Sequence, residues 1–333
     1  MFHNTQSTRH KRIECIALLF ALFAVPSTAQ TSKKGFAFIG DKHASDNKLL
    51  SASNSPLNWY YNWSPYPNSD LLPDRLEFVP MIHGIDSTQT LQTEKVISSL
   101  AQSSTHLLSF NEPDGSTGSG GSAIKPEDAA KAYIDYVVPF RDGKSGGGRK
   151  WKISWPATTG SPNGLTWLRS FNESCHKIDD KNGCPADFIA AHWYGAFDGL
   201  SSWLGTLNEF YNTNGTRNDA LKIWITEMAL PQQSAENTVQ MMNQTLPYLD
   251  KLEYVERYSW FGAFRSKDAN EWTGDGVALF DNGGGLTELG AVYMGSDFEE
   301  GQKGEGESAG SVVGRNVWMA IAVAFATVGF GMV

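Results

Sequence analysis

Eight short apolar runs recur along the middle of the chain, and this recurrence constrains the fold more than any other feature. Several runs are apolar on both faces, which is typical of strands in a parallel sheet that helices cover on the outside. We predict strands at Phe36–Gly40, Trp59–Ser64, Phe78–Gly84, His106–Glu112, Trp151–Ala157, Phe188–Gly195, Ile223–Ala229 and Tyr258–Phe264.

Helical patterns separate several of these runs. The segment 126–140 opens with proline and two acids and then places apolar residues at helical spacing. A second helix is predicted over 234–252, kinked or divided at Pro247, and a third closes the series at 286–298. Repeated strand–helix units predict an α/β protein with a single (β/α)8 barrel of the triosephosphate isomerase type, occupying residues 30–298.

The first 29 residues have the pattern of a secretory signal peptide. A basic stretch at 9–12 precedes an apolar core at 16–25, and small residues at 27–29 provide a cleavage site. An uncleaved N-terminal anchor is the alternative. We predict cleavage, because the apolar core is shorter than a membrane span requires.

The other end of the chain is also apolar. A Gly-rich, acidic linker at 299–316 leads to a hydrophobic tail at 317–333, with small residues at Ser308, Ala309 and Gly310. This order predicts attachment of a glycosylphosphatidylinositol (GPI) anchor near the small residues and removal of the tail. A tail-anchored helix is the alternative. The prediction is a secreted protein held at the outer face of the plasma membrane.

Charge and motifs narrow the classes of partner. The net charge is −9 and the isoelectric point is about 5.3, so electrostatic recognition of nucleic acid is not expected. No strand is followed by a dinucleotide or Walker phosphate loop, and no HExxH zinc motif occurs. We therefore expect no cofactor and no metal. We also expect the protein to be a monomer.

The cysteines and glycosylation sequons fit a secretory route. Cys175 and Cys184 flank a polar loop and would form a disulfide in an oxidising compartment, with a metal pair as the rival interpretation. The glycosylation acceptors are Asn62, Asn172, Asn214 and Asn243.

Polar and aromatic residues collect at the carboxyl ends of the predicted strands, where barrel enzymes carry their sites. Amides pair with hydroxyl groups and aromatic rings stack on the C–H faces of sugars, so this mixture favours a neutral carbohydrate ligand. The residues at these ends are Asn62, Trp63, His83, Asn111, Glu112, Trp155, His192, Tyr194, Glu227 and Trp260.

Two glutamates in this set suggest hydrolysis. Glu112 ends the fourth predicted strand and Glu227 lies on the seventh, so both side chains can reach the centre of one barrel mouth. Retaining glycosidases use two carboxyl groups about 5–5.5 Å apart. Taken singly, Glu112 could be a salt-bridged strand end and Glu227 an acidic residue ahead of a helix. Together they favour a catalytic pair.

The stretches "NWYYNWSPYP", "LLSFNEPD", "AAHWYG", "IWITEMAL" and "RYSWFGAF", in this order, resemble family 128 of the glycoside hydrolases. The resemblance covers most of the chain between leader and tail. It implies a retaining endo-β-1,3-glucanase with Glu112 as acid/base and Glu227 as nucleophile. It also implies that Asn111 hydrogen-bonds the sugar 2-hydroxyl. Met228 departs from the aromatic residue of many members, which puts one sugar contact in doubt.

Other residues complete the predicted site. His192 and Tyr194 alternate with Trp193, so they can share the barrel interior, where His192 would orient a carboxylate, bind a hydroxyl or simply be buried. Trp63 and Trp260 are candidate sugar platforms, with core packing as the rival. Tyr258 is predicted on the face of Trp260, within reach of the nucleophile. His83 is a further candidate for contact with the sugar.

The sequence thus predicts an enzyme that cleaves β-1,3-glucan of the cell wall, with the polysaccharide and the membrane anchor as its partners. A non-catalytic glucan-binding protein of the cell surface is one alternative. A glycosidase or transglycosylase that acts on another linkage is a second, because it would use the same residues.

Overall fold

The computed structural model describes residue 1 and residues 32–37, 42–68, 72–73, 75–85, 87–213 and 220–304. The remaining residues of the predicted leader lie outside this part of the chain. So do the attachment region at Ser308, Ala309 and Gly310, the hydrophobic tail, and the sequon at Asn214.

Eight parallel strands form the centre of the molecule, which confirms the predicted number and order. In spatial order the sheet runs β3-β2-β1-β8-β7-β6-β5-β4. The strands are β1 Lys34–Ala37, β2 Trp59–Tyr61, β3 Glu77–Phe78, β4 His106–Leu107, β5 Lys152–Trp155, β6 Phe188–Tyr194, β7 Lys222–Ala229 and β8 Val255–Trp260.

The sheet closes between its two ends just beyond β3 and β4. The amide of Ile82 donates to the carbonyl of Leu108 at 3.0 Å, and the amide of Leu108 donates to the carbonyl of Pro80 at 2.9 Å. Closure removes both sheet edges and brings all strand ends to one mouth. The predicted (β/α)8 barrel is confirmed.

Helices surround the strands, and the helix that contains Pro247 is not divided. They are α1 Asn47–Leu50, α2 Ser87–Ser99, α3 Pro126–Ala132, α4 Val138–Asp142, α5 Pro162–Ile178, α6 Phe197–Asn208, α7 Ala235–Lys251 and α8 Glu288–Met294. A π-helical segment, Tyr133–Val137, joins α3 to α4. Pro247 lies inside α7 without dividing it, because the buried face of this helix, which includes Leu246 and Leu249, packs on the barrel on both sides of the proline.

The barrel interior is a separate core from the layer between strands and helices. Close packing inside it needs a glycine at position 35, where a Cβ atom would lie 2.2 Å from the indole of Trp59. The buried interior residues are Ala37, Trp59, Tyr61, Val79, Met81, Leu108, Ala157, Phe188, Ala190 and Trp224.

An irregularity in β7 decides where its polar residues point. Ala191 of β6 pairs with Ile225, but the next residue, His192, pairs with Glu227, so β7 contains one extra residue at this point. Relative to β8, too, β7 contains one extra residue between Ile225 and Met228. Without this bulge, strict alternation from the inward-facing Trp224 would turn Glu227 towards the helices. The bulge instead directs Glu227 into the barrel.

Charged residues close the opposite end of the barrel. Glu77 accepts from Arg257 at 2.6 Å and lies 2.7 Å from Nδ1 of His106, and the Arg257 guanidinium lies 4.1 Å from the centre of the Trp224 ring. Burial alone would raise the pKa of Glu77, but the hydrogen bond from His106 and the charge of Arg257 outweigh it and lower that pKa to about 2. Glu77 is therefore ionised and tightly paired with Arg257.

Features of the surface agree in part with the sequence predictions. Cys175 and Cys184 form the predicted disulfide. Asn243 is exposed on α7, whereas Asn172 and Asn62 are half-buried and the amide of Asn62 donates to the carbonyl of Tyr66 at 2.8 Å. Within the described residues, no helix combines the length and apolar character needed to cross a membrane.

The ion cluster at the closed end of the barrel yields a stability prediction. Glu77→Gln should lower the free energy of unfolding by about 3 kcal/mol at neutral pH, because it leaves Arg257 partly buried without its carboxylate. The pKa of Glu77 is depressed, so its contribution is present above the ordinary value of 4.5 and is lost as the pH falls towards 2. The free energies of unfolding of the variant and the wild type are measured in urea at neutral pH and at about pH 3. The difference between them should be smaller at the lower pH. Glu253→Gln at an exposed site is the control, and a difference independent of pH would contradict the account.

Candidate active site

A cavity of about 590 Å³ lies at the carboxyl ends of the strands. Its size is typical of a small-molecule site, and its walls combine aromatic rings with amides and carboxylates. The lining residues are Trp63, His83, Asn111, Glu112, Ser119, Gly120, Thr159, Tyr194, Glu227, Pro231, Phe261, Asn270, Trp272 and Thr273.

The two predicted glutamates meet at the bottom of this cavity. Glu112 is 8% exposed and Glu227 is 5% exposed. A carboxylate oxygen from each lies within 4.8 Å of the other, and a nitrogen of His192 lies within the same distance of both. Two buried acids this close repel each other when both are ionised, so the surrounding groups must offset the charge.

Glu227 is surrounded by hydrogen-bond donors. Its Oε1 accepts from the indole of Trp63 at 2.7 Å and from the hydroxyl of Tyr61 at 3.1 Å, and its Oε2 accepts from the hydroxyl of Tyr194 at 2.5 Å. Burial and the negative charge of Glu227 raise the pKa of Tyr61 and Tyr194 well above the usual range, so both phenols keep their protons and remain donors. These three donors all point at the carboxyl group of Glu227 and fix its orientation.

Glu112 lies just beyond β4 in a strained backbone conformation. Its φ angle of 39° is in the left-handed region, which is uncommon for a residue with a side chain. Its amide donates to the carbonyl of Ala157 at 2.7 Å, and its carbonyl accepts from Gly115 at 2.9 Å. The turn after β4 thus holds this conformation, which aims the carboxyl group at the cavity.

His192 links the two acids. Its Nδ1 lies 2.8 Å from Glu112 Oε1 and its Nε2 lies 3.5 Å from Glu227 Oε1, while the ring is fully buried. Burial lowers the pKa of His192, but the attraction of Glu227 and Glu112, with a smaller contribution from Asp114, outweighs it and raises the pKa above the ordinary value. The imidazolium can therefore balance part of the negative charge.

Asn111 and His83 form one wall of the cavity around the carbonyl of Gly120. The amide nitrogen of Asn111 donates to that carbonyl at 3.1 Å, and Nε2 of His83 lies 3.2 Å from it. The Oδ1 atom of Asn111 is buried and has no hydrogen-bond partner among the described residues. A buried acceptor without a partner is costly, and a ligand hydroxyl group would satisfy it.

Tyr258 and Trp260 do not reach the cavity, so their predicted roles are wrong. Trp260 is fully buried and its indole donates to the carbonyl of Val277, while the hydroxyl of Tyr258 donates to Asp250 at 2.8 Å. Both side chains leave β8 on the face that packs against the helices. Met228 also lies in that outer core, fully buried, so it forms no part of the cavity wall.

Tyr61 and Phe261 belong to the site although neither is among the predicted site residues. Tyr61 alternates with Trp59 and Trp63 along β2 and its extension, a period-two signal that could have found it. Phe261 follows β8 directly and packs against Trp63 and Tyr194. Phe261 is the residue after Trp260 and lies on the opposite face of the chain. The prediction for β8 therefore chose the wrong face.

The cluster of Glu112, His192 and Glu227 also has the ligand spacing of a metal site. Each nitrogen of His192 already faces a carboxylate, however, and Glu227 already accepts hydrogen bonds from three side chains. The hydrogen bond between His192 and Glu112 and the three donors to Glu227 thus already occupy these groups, and the donor set around Glu227 does not favour a cation.

Comparisons with known proteins agree with this geometry. Residues 35–293 match the family model described as "Glycosyl hydrolase catalytic core". Alkali-sensitive linkage protein 1 of Schizosaccharomyces pombe is 32% identical over 275 residues, which are 79% of this chain and 44% of that protein. The chain thus spans less than half the length of this curated relative.

Solved structures of glycoside hydrolase family 128 share the fold. A curdlan-specific exo-β-1,3-glucanase from Blastomyces gilchristii, in complex with glucose, is 27% identical with a TM-score of 0.60, covering 80% of this chain and 98% of its own. An endo-β-1,3-glucanase from Pseudomonas viridiflava is 25% identical with a TM-score of 0.63, covering 81% and 99%. An oligosaccharide-binding protein from Cryptococcus neoformans is 21% identical with a TM-score of 0.58, covering 80% and 93%.

The charge linkage through His192 gives a prediction that needs no assumption about the ligand. His192→Asn should lower the free energy of unfolding by about 3 kcal/mol at about pH 6, because the carboxyl groups of Glu112 and Glu227 lose the charged group that lies between them. The pKa of His192 is raised above 6.5, so its cationic contribution is fully present below that value and is lost as the pH rises through the raised pKa.

Unfolding of the variant and of the wild type is compared at about pH 6 and about pH 9. We expect the difference between them to shrink at the higher pH. His176→Asn, at an exposed position, serves as the control. An equal difference at both pH values would show that His192 contributes only by packing.

Proposed function

The chain belongs to the glycosyl hydrolase catalytic core family and, within it, to glycoside hydrolase family 128, and we propose that it is a retaining endo-β-1,3-glucanase. One observation carries this proposal: two buried carboxyl groups within 4.8 Å at the bottom of an aromatic cavity. Retaining glycosidases place their carboxyl groups about 5–5.5 Å apart, whereas inverting enzymes need about 6.5–9.5 Å to admit a water molecule. The short spacing supports retention.

The unequal surroundings of the two glutamates support different roles. Glu227 accepts from Tyr61, Trp63 and Tyr194, and such donors hold the carboxyl group in the fixed orientation that a nucleophile needs. Among the described residues, His192 is the one side chain that hydrogen-bonds the carboxyl group of Glu112. This leaves the other carboxyl oxygen of Glu112 open to the leaving oxygen of the substrate, which suits the acid/base.

The proposed reaction has two displacement steps. In the first, a carboxylate oxygen of Glu227 forms a bond to the anomeric carbon while the bond from that carbon to the leaving oxygen breaks, and Glu112 gives its proton to the leaving oxygen. In the second, the Glu112 carboxylate takes a proton from water, the water oxygen bonds to the anomeric carbon, and the ester bond to Glu227 breaks. The two inversions together retain the anomeric configuration.

The walls of the cavity support a glucan substrate. The unpartnered Oδ1 of Asn111 can accept from a sugar 2-hydroxyl, an interaction that strengthens in the transition state of glycosidases. Trp63 contributes an indole that also donates to Glu227, so it would position the nucleophile as well as contact the sugar. The relatives from Blastomyces and Pseudomonas are β-1,3-glucanases, which favours the same linkage here.

The length of the binding groove supports endo action. A second cavity of about 420 Å³ shares Trp63 and His83 with the first and extends towards Tyr66, Gln92 and Thr93. Trp272, in the loop after β8, also lines the first cavity. Two adjoining cavities form a longer groove, and a long open groove can bind the interior of a chain, whereas a closed end would restrict cleavage to chain ends.

Glucan binding without turnover is the second candidate. The observation that favours it is the fold shared with the oligosaccharide-binding protein from Cryptococcus neoformans. The paired carboxylates argue against it, because a binding protein gains nothing from burying two mutually repelling acids. Transfer of the glycosyl group to another sugar instead of water would use the same residues and the same first step.

The two roles can be separated by chemical rescue of alanine variants. Glu112→Ala and Glu227→Ala should each lower hydrolysis of linear β-1,3-glucan oligomers by about a thousandfold or more. On an activated aryl β-glycoside of the oligomer, whose leaving group departs without a proton, added azide should rescue both variants, giving a β-glycosyl azide with Glu112→Ala and an α-glycosyl azide with Glu227→Ala. The azide replaces water in the first case and the nucleophile in the second.

Glu173→Ala, at an exposed site on α5, is the matched control and should keep full activity. Reversed azide products would exchange the two assignments. If the wild-type protein binds the oligomers but forms no new reducing ends, the result supports the binding alternative and overturns the proposed hydrolysis.

We also propose that the protein is secreted, works as a monomer and is held at the cell surface by a GPI anchor near wall glucan. The leader and tail sequences motivate this location. The disulfide between Cys175 and Cys184 supports an oxidising compartment.

The proposed location predicts release by phosphatidylinositol-specific phospholipase C. Treatment of intact cells that express the full chain should move the protein into the medium. Replacing residues 308–310 with bulky charged residues should abolish membrane retention, because anchor attachment requires small residues. Retention that resists the phospholipase but is lost on deleting 317–333 would indicate a tail-anchored helix instead.

A further inference from the structure

Trp272 is the one exposed tryptophan in the described part of the chain. It is 64% exposed, whereas the other described tryptophans are buried or half-buried. It lies in the loop after β8 and lines the same cavity as the two glutamates. A large ring exposed at the edge of a binding cavity is available to stack on an apolar face of a ligand.

The turn that carries Trp272 is held firmly from within. The Oδ1 atom of Asn270 accepts from the amide of Trp272 at 3.0 Å, from the amide of Thr273 at 2.8 Å, and from the hydroxyl of Thr273 at 3.0 Å. Thr273 is itself buried. One side chain thus organises the whole turn and keeps the indole outside the core.

The same turn is attached to the strand that carries Glu227. Gln232, shortly after β7, donates its side-chain amide to the carbonyls of Glu271 at 2.6 Å and of Trp272 at 3.1 Å. Its backbone amide donates to the carbonyl of Thr273 at 2.9 Å, and its φ angle is 57°. A strained backbone at a non-glycine residue is retained when the surrounding contacts require it. The position of the indole is therefore coupled to the strand of the proposed nucleophile.

Depth within the cavity separates Trp272 from the reacting centre. The carboxylates are at most 8% exposed, whereas the indole stands at the rim. A sugar ring that stacks on Trp272 is consequently not the ring whose bond is cut.

We propose that Trp272 is a preformed stacking platform for a distal glucosyl unit, which makes the site selective for longer β-1,3-glucan chains. The inference rests on the proposed function, because it names which part of the substrate the rim of the same cavity binds. Stacking would bury the exposed face of the indole against the C–H face of a sugar. A rigid platform loses little conformational freedom on binding, so its contribution appears in affinity for the extended chain. Chains too short to reach the rim gain nothing from it.

The test compares a β-1,3-linked hexasaccharide with a trisaccharide. Trp272→Ala should lower kcat/KM for the hexasaccharide by about tenfold, mainly through KM, and change it by less than about twofold for the trisaccharide. Trp272→Phe should restore part of the loss, because a smaller ring still stacks. Tyr136→Ala removes an exposed aromatic ring from the helical segment between α3 and α4 and should affect neither substrate.

Equal losses on both substrates, or no loss on either, would overturn the proposal. Calorimetric binding of the hexasaccharide to Glu227→Gln, with and without Trp272→Ala, distinguishes failure of this inference from failure of the proposed function. If the wild type hydrolyses nothing, hexasaccharide affinity that falls about tenfold without Trp272 still supports the platform. Unchanged affinity refutes it whether or not the protein is an enzyme.

Discussion

Two carboxyl groups that lie within 4.8 Å of each other, buried from water, are the constraint on which the rest of the site depends. Each charge disfavours the other, so the fold must supply compensating groups from several directions. Tyr61 and Trp63 come from β2 and the segment after it, while His192 and Tyr194 come from β6. The carboxyl ends of these strands surround one mouth because the sheet closes into a barrel between β3 and β4. The geometry of the site therefore depends on this closure.

The compensating groups are distributed unequally, so Glu112 and Glu227 have different hydrogen-bonding surroundings. Three donors surround Glu227, and His192 connects it to Glu112. Local backbone irregularities then fix the directions of both side chains. The extra residue in β7 turns Glu227 inward, and the positive φ angle of Glu112 turns its carboxyl group into the cavity. Strain and bulges of this kind are common where a structure must orient a functional group.

The sequence predicted the architecture well, because eight apolar runs with intervening helices have few other solutions. It was weaker on side-chain direction. Alternation predicted the inward faces of His192 and Tyr194, but Tyr258 and Trp260 were assigned to the wrong face of β8. When both faces of a strand are buried, polarity does not distinguish barrel interior from helix layer. The bulge in β7 likewise has no local sequence signal, since it is defined by pairing with two neighbouring strands.

The central claim is that the short carboxylate spacing makes this protein a retaining glycosidase. Its most direct test is proton NMR of the reducing ends released in the first minutes of hydrolysis of a linear β-1,3-glucan oligomer, before the anomers equilibrate in water. The account predicts that the β-anomer appears first and that the α-anomer follows by spontaneous mutarotation. Initial release of the α-anomer would contradict it, because inversion requires a water molecule between carboxyl groups that lie too close together to admit one.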